Sequence, residues 1–204
     1  MDKQQVFYIH GGNAYSNYDD YLEDLRTATL RDLPGAEHFK KWSSSLAEDL
    51  GDGFEVFTPS MPNKQGAKYE EWKIWFERYF PHLKGEVILV GWSLGGYFLV
   101  KYLLENEVPF TVKALFLLAA PFENDDFGGE DGGDFAFDTS KVGELSVKTD
   151  TVYIFHSKDD PIVPFAHAEK YQATLPSARL ISFTSKNHFL IDEFPELLEN
   201  IKNC

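Results

Sequence analysis

Gly91-Trp92-Ser93-Leu94-Gly95-Gly96 sets a serine between glycines, directly after the apolar run 87–90 and directly before a helical period. A serine hydroxyl is a poor nucleophile at neutral pH. It becomes a competent one when a histidine takes its proton and a carboxylate orients that histidine. The G-x-S-x-G pattern carries catalytic meaning where a strand turns sharply into a helix, and both flanks here read that way. The serine of such a turn is held in a left-handed conformation that lifts its hydroxyl above the sheet edge. A side chain at 91 or 95 would collide with the neighbouring strand or the helix start.

The later chain supplies candidates for the base and the acid. His156-Ser157-Lys158-Asp159-Asp160-Pro161-Ile162-Val163-Pro164 follows the apolar run 151–155, and Asn187-His188-Phe189 follows the run 179–183. A carboxylate after one late strand and a histidine after the next make the chain order Ser, Asp, His. All would stand at the carboxyl ends of parallel strands, where open α/β sheets place their sites. Asp159 and Asp160 are adjacent, so spacing leaves the acid open between them. Of the other histidines, His167 is expected on a helix as a surface or half-buried residue, and His38 and His82 in helix and turn contexts. His156 should pack or make a structural hydrogen bond, and His10 should shape the loop after the first strand. A tetrahedral oxyanion would need two convergent donors. The amide of Leu94 is one, because amides in the first turn of a helix are unpaired and the dipole there favours negative charge.

These residues need a scaffold, and the apolar runs describe it. Val6–Ile9, Glu55–Thr58, Val87–Val90, Ala114–Leu118, Thr151–Phe155 and Arg179–Phe183 each read as a strand, most of them apolar without alternation and so covered on both faces. Helical periods lie between them: about 36–50 (Phe39, Trp42, Leu46, Leu50), about 68–80 (Trp72, Trp75, Phe76, Tyr79, Phe80) ended by Pro81, then Leu94–Glu105, Phe165–Leu175 and Phe194–Lys202. Strands alternating with helices predict an α/β fold, a three-layer αβα sandwich around a mostly parallel sheet of about six strands. With no repeat or linker in sight, residues 1–204 read as a single domain. Two stretches fall outside the alternation. Residues 13–34 hold an extra helical period (Tyr18, Leu22, Leu25, Thr29) before Pro34-Gly35. Residues 121–150, rich in Gly and acids, read as a solvated loop or, because they follow a strand directly, as a small cover over the site.

Composition narrows the function further. Of 204 residues, 43% are apolar and 25% charged, enough for a sizeable core and too little charge bias for a disordered chain. The 19 basic and 33 acidic residues leave a net charge of −14, which disfavours nucleic acid as a partner. One cysteine, Cys204, allows neither an internal disulfide nor a thiolate metal cluster. No apolar stretch is long enough to span a bilayer and the N-terminus has no signal-peptide layout, so the expected setting is cytoplasmic.

Taken together, the residues resemble the α/β-hydrolase superfamily, and within it the small serine hydrolases typified by the retinoblastoma-binding-protein-9-like and YdeN-like proteins. The likeness runs through His10-Gly11-Gly12, Met61-Pro62-Asn63, the serine turn, Lys158 to Pro164, and Asn187-His188-Phe189. It implies an α/β-hydrolase fold with little or no lid, with Ser93 as nucleophile, Asp160, the residue before Pro161, as acid, and His188 as base. It also implies Gly12 as the second oxyanion donor, with Gly11 or Asn13 as substitutes. Relatives that draw the acid from the loop after the preceding strand make Glu123, Asp125 or Asp126 a third choice. The family usually has a glycine where this chain has Asn187. The implied reaction is hydrolysis of a small-molecule ester or thioester through an acyl-enzyme, without metal or organic cofactor. A short cover predicts an open site suited to short acyl groups, with Tyr15, Trp92, Phe122 and Phe189 near its mouth. A binding protein on the same fold with vestigial activity is the contrasting expectation, and the presence of all three catalytic residue types speaks against it.

Overall fold

In the computed structural model, which describes residues 3–30, 34, 41–124 and 131–204, the apolar runs become strands and the amphipathic periods between them become helices. The order is β1 (Gln4–Ile9), α1 (Tyr18–Thr27), α2 (Leu46–Leu50), β2 (Phe54–Phe57), α3 (Tyr69–Glu77), β3 (Glu86–Trp92), α4 (Leu94–Glu105), β4 (Thr111–Leu118), α5 (Leu145–Lys148), β5 (Thr149–Ser157), α6 (Ala166–Thr174), β6 (Arg179–Phe183) and α7 (Pro195–Lys202). The six strands pair in parallel in the spatial order β2-β1-β3-β4-β5-β6. This is the α/β-hydrolase fold.

Alternation of side chains across each strand feeds two cores. Phe7, Ile9, Val87, Leu89, Leu115 and Leu117 enter one, against Trp72 and Phe76 of α3, Phe98 of α4 and Tyr171 of α6. Val6, Tyr8, Ile88, Val90, Phe116 and Leu118 enter the other, against Leu46 and Leu50 of α2 and Leu197 and Ile201 of α7. Burial on both faces is why β1, β3, β4 and β5 are apolar at successive positions. The edge strands β2 and β6 are half-exposed and correspondingly more polar.

From β1 the chain adds β2 on one side and then returns to place β3 on the other, so the strand order reverses between β1 and β3. The carboxyl ends of those two strands therefore splay apart into the crevice where open parallel sheets bind ligands. The loop His10–Gly12 and Ser93 both emerge there.

Three local expectations change. The helix expected over 36–50 is α-helical only from Leu46, after a 3-10 turn at Trp42–Ser44, while Phe39 and His38 lie outside the described residues. Pro81 does not stop α3, which ends at Glu77; it sits within a separate 3-10 turn, Phe80–His82, where its missing amide hydrogen costs no helical bond. The period in 13–34 forms α1, yet α1 buries none of its residues, and Gly35 lies outside the described residues.

Within 121–150, residues 131–136 are held down as a strap. Ala14 bridges both Ala67 and Asp131. Asp134 accepts from the Tyr69 amide at 3.0 Å, and Lys101 donates to the carbonyls of Asp134 and Ala136 at 2.8 and 2.7 Å. Phe135 is wholly buried against Trp72 and Phe98. Among the described residues no helix is long and apolar enough to cross a membrane.

Candidate active site

Ser93 is the single residue between β3 and α4, and its backbone takes φ 53° and ψ −122°. A non-glycine residue with such angles is strained and is held by its surroundings. Here the Ser93 amide donates to the Leu118 carbonyl at the end of β4 (2.8 Å), while its own carbonyl accepts from the amides of Gly96 (2.9 Å) and Tyr97 (3.1 Å). The flanking glycines permit the turn. A Cβ at Gly91 would stand 2.5 Å from Gly96 Cα, and one at Gly95 only 2.3 Å from the Ile9 carbonyl oxygen. So α4 can begin against the end of β1 only because position 95 has no side chain.

The acid and the histidine meet as the chain order suggests. His188 Nδ1 and Asp160 Oδ2 are 2.8 Å apart. Asp160 Oδ1 accepts the amides of Ile162 (2.9 Å) and Val163 (3.0 Å), and the carboxylate is fully buried. Burial pushes the Asp160 carboxyl up. The His188 bond and charge and the two amides outweigh that, and the group is held below the usual carboxylate range. Trp92, next to Ser93, donates through Nε1 to the His188 carbonyl at 3.0 Å, with its ring 5.7 Å from the imidazole. This bond brings the histidine loop to the serine turn. In this structure no hydrogen bond joins the imidazole to the Ser93 hydroxyl; its side-chain bond is to Asp160.

Asp159 takes a different part from its neighbour. Its Oδ1 accepts from the Ser157 hydroxyl and, at 3.0 Å, from the Asn187 amide, and Ser157 Oγ in turn accepts the Lys186 amide at 3.0 Å. The acid loop and the histidine loop are thus clasped together. Asn187 has φ 34°, the left-handed region where glycine is commonest and asparagine is well tolerated, so its departure from the family's glycine keeps the loop's shape. Glu123, another candidate acid, forms an ion pair with Lys170; Asp125 and Asp126 lie outside the described residues.

Gly12 and Leu94, the expected oxyanion donors, both line a narrow cavity with Ser93, together with Ala14, Pro121, Asp131, Gly132, Ile162 and Val163. The Asn13 amide is spent on the Lys64 carbonyl at 2.8 Å, which removes it as a donor. His10 braces this loop. Its Nε2 accepts the Met61 amide (2.8 Å), so the proton sits on Nδ1 and is donated to the Gly11 carbonyl (2.6 Å). Tyr15 hydrogen-bonds Asp24 through its hydroxyl at 2.7 Å. The cavity offers ≈ 20 Å³, about the room of one water molecule. Its wall at Asp131-Gly132 belongs to the strap, so the cleft is closer than an open site would be.

Two further histidines are structural. His167, expected at the surface or half-buried, is 1% exposed, and its Nδ1 accepts the Phe122 amide at 2.9 Å. A helical position with one polar neighbour does not betray its burial in sequence, because the partner is a backbone amide 45 residues away. His156 is equally buried and donates from Nε2 to the Val163 carbonyl (2.7 Å), 3.5 Å from Asp160 Oδ2. Burial lowers the pKa of His156, partly opposed by Val163 and the Asp160 charge; burial also lowers that of His10. Both rings are therefore neutral in the fold and gain protons more readily once unfolded. Their share of stability is complete above the ordinary imidazole value of 6.5 and declines as the pH falls below it. Asp160 loses its share later, as the pH drops through its depressed value. Urea midpoints are expected to fall steadily from about pH 7.5 to about pH 5, and His156→Gln should make that decline shallower. A flat profile would contradict the neutral, buried imidazoles.

With this geometry in view, comparison with known proteins identifies the lineage. A family model described as serine hydrolase matches residues 33–202. The chain belongs to that serine hydrolase family. Serine hydrolase RBBP9 of Rattus norvegicus is 27% identical over 153 residues, covering 74% of this chain and 78% of the rat protein. The ydeN gene product of B. subtilis superposes with a TM-score of 0.70 at 21% identity, covering 98% of each chain. The meta-cleavage product hydrolase of Pseudomonas fluorescens gives 0.67 at 14% identity over 99% of this chain and 90% of its own. Membership makes this serine hydrolase a hydrolytic enzyme, and the structural likenesses extend the shared fold across nearly the whole chain.

Proposed function

We propose that this serine hydrolase cleaves small carboxylic esters or thioesters by two-step acyl transfer, with Ser93 as nucleophile, His188 as general base and Asp160 as the orienting acid. The observation that carries the reading is the 2.8 Å Asp160–His188 bond, formed beside a serine held at φ 53° on the carboxyl rim of the sheet. Asp160 accepts from Nδ1–H and leaves Nε2 unprotonated, the tautomer able to take a proton from a hydroxyl. The Ser93–His188 bond is the one that closes on substrate binding, since such bonds are commonly long in free enzymes.

In the first step Ser93 Oγ bonds to the carbonyl carbon and its proton passes to His188. The oxyanion is stabilised by the amides of Gly12 and Leu94, and His188 returns the proton to the departing alcohol or thiol. In the second step water, deprotonated by His188, attacks the acyl-enzyme, and the acid is released as Ser93 regains its proton. No cofactor enters this route.

Labelling with a fluorophosphonate probe tests the assignment. The modification is expected on the peptide that carries Ser93. The narrow cleft further predicts that kcat/KM falls from p-nitrophenyl acetate to the octanoate by roughly tenfold or more. A label on another residue, or a preference for long chains, would overturn the respective part of the reading.

A further inference from the structure

Among the described residues that line the cavity at Ser93 there is one acidic side chain. Among the described residues lining it, Asp131 is the one charged side chain; the walls are otherwise apolar side chains, glycine backbone and the Ser93 hydroxyl, and no lysine, arginine or histidine is present to neutralise it. The Asp131 carboxylate is fixed by backbone donors. The Ser16 amide reaches both oxygens (3.0 and 3.1 Å), and the Gly133 amide reaches Oδ1 at 2.6 Å. An asparagine could accept these bonds through its one carbonyl oxygen, so the negative charge exceeds what the strap requires. Oδ2 keeps acceptor capacity for a further donor. Half-buried in the cavity wall, that charge is screened less than a fully exposed one. The chain's net charge of −14 also draws cations toward the molecule.

The geometry points to Asp131 as a specificity-determining residue that selects acyl donors bearing a protonated amine close to the scissile carbonyl: small aminoacyl esters or thioesters. This inference rests on the hydrolase reading above and adds the substrate class to it. The ammonium group takes no part in bond making; it donates to Asp131 while Ser93 attacks the carbonyl. With ≈ 20 Å³ available, the amine must lie within a bond or two of that carbonyl, as in a glycyl group.

The experiment compares p-nitrophenyl esters of glycine and of propionate, which differ by ammonium for methyl. Assay below the ordinary α-amino pKa of about 7.7 keeps the amine charged. Each kcat/KM is divided by the rate of spontaneous hydrolysis, and the glycyl-to-propionyl ratio is taken. The wild type is expected to favour the glycyl ester by roughly tenfold to a hundredfold, the range for a hydrogen bond to a charged group. Asp131→Asn should bring the ratio close to one. Glu48→Gln, which removes an exposed charge on α2, should leave the ratio as it is. A wild-type ratio near one sinks the proposal by itself, even if Asp131→Asn fails to fold. So does a ratio that survives Asp131→Asn, or one that Glu48→Gln lowers equally. Labelled Ser93 with no glycyl preference removes the selectivity alone, whereas an enzyme that neither labels at Ser93 nor cleaves either ester removes the hydrolase reading beneath it.

Discussion

Ser93→Ala should lower kcat/KM for a small aryl ester by roughly 10⁴- to 10⁶-fold, the loss typical when the nucleophile of a Ser-His-Asp site is deleted. The magnitude follows from what is left behind. His188, Asp160 and the amides of Gly12 and Leu94 remain, but without an acyl-enzyme they can only assist direct attack by water. The fold should not register the change. Ser93 is held through its backbone, by the Leu118 carbonyl on one side and the Gly96 and Tyr97 amides on the other, and alanine keeps the Cβ that lies beside Gly11. The urea midpoint is therefore expected to match that of the wild type while fluorophosphonate labelling disappears. Activity that persists in a folded Ser93→Ala protein would place the nucleophile elsewhere.

Asp160→Asn is the second large effect, and its comparison with Asp159→Asn is what makes it informative. The carboxamide introduced at position 160 could still accept the Ile162 and Val163 amides through its oxygen, so the loop should stay in place. Its amide nitrogen would instead donate to His188 Nδ1, driving the imidazole proton to Nε2 and removing the base of the proposed mechanism. A loss of about 10³- to 10⁴-fold in kcat is expected, with KM little changed. Asp159→Asn retains an acceptor for the Ser157 hydroxyl and the Asn187 amide, and its kcat should stay within roughly tenfold of the wild type. Steady-state kinetics of both variants, with midpoints to verify folding, separate the two. Equal losses would mean that the clasp between the loops, rather than the carboxylate at His188, governs the rate.

Adjacent aspartates illustrate where sequence reading stops. Residues 159 and 160 have the same chemistry, and spacing alone left both open. Asp160 meets the imidazole because the parallel register of β5 against β6, with His156 opposite Ser182 and Ser157 opposite Phe183, sets the two loops side by side. Asp159 then faces the Asn187 amide instead. The strap is a similar case. Its glycines and acids carry the composition of a solvated loop, and only the burial of Phe135 and the bonds to Tyr69, Lys101 and Ala14 turn residues 131–136 into a cavity wall. His167 shows the same limit, since its partner is a distant backbone amide with no trace in local pattern.

What the chain spelled out unaided was everything with a short period or a local shape: the strands, most of the helices, the layered architecture, the glycine-flanked turn at Ser93, and the order of serine, acid and histidine. Hydrophobic alternation and glycine sterics act over a few residues, so they are written in neighbouring letters. Which aspartate meets His188, which loop amide is already engaged, what walls the cavity and where the Asp131 carboxylate sits were decided by the tertiary structure. Those outcomes depend on distances between atoms remote along the chain, and such distances are set by the packing of strands and loops against one another.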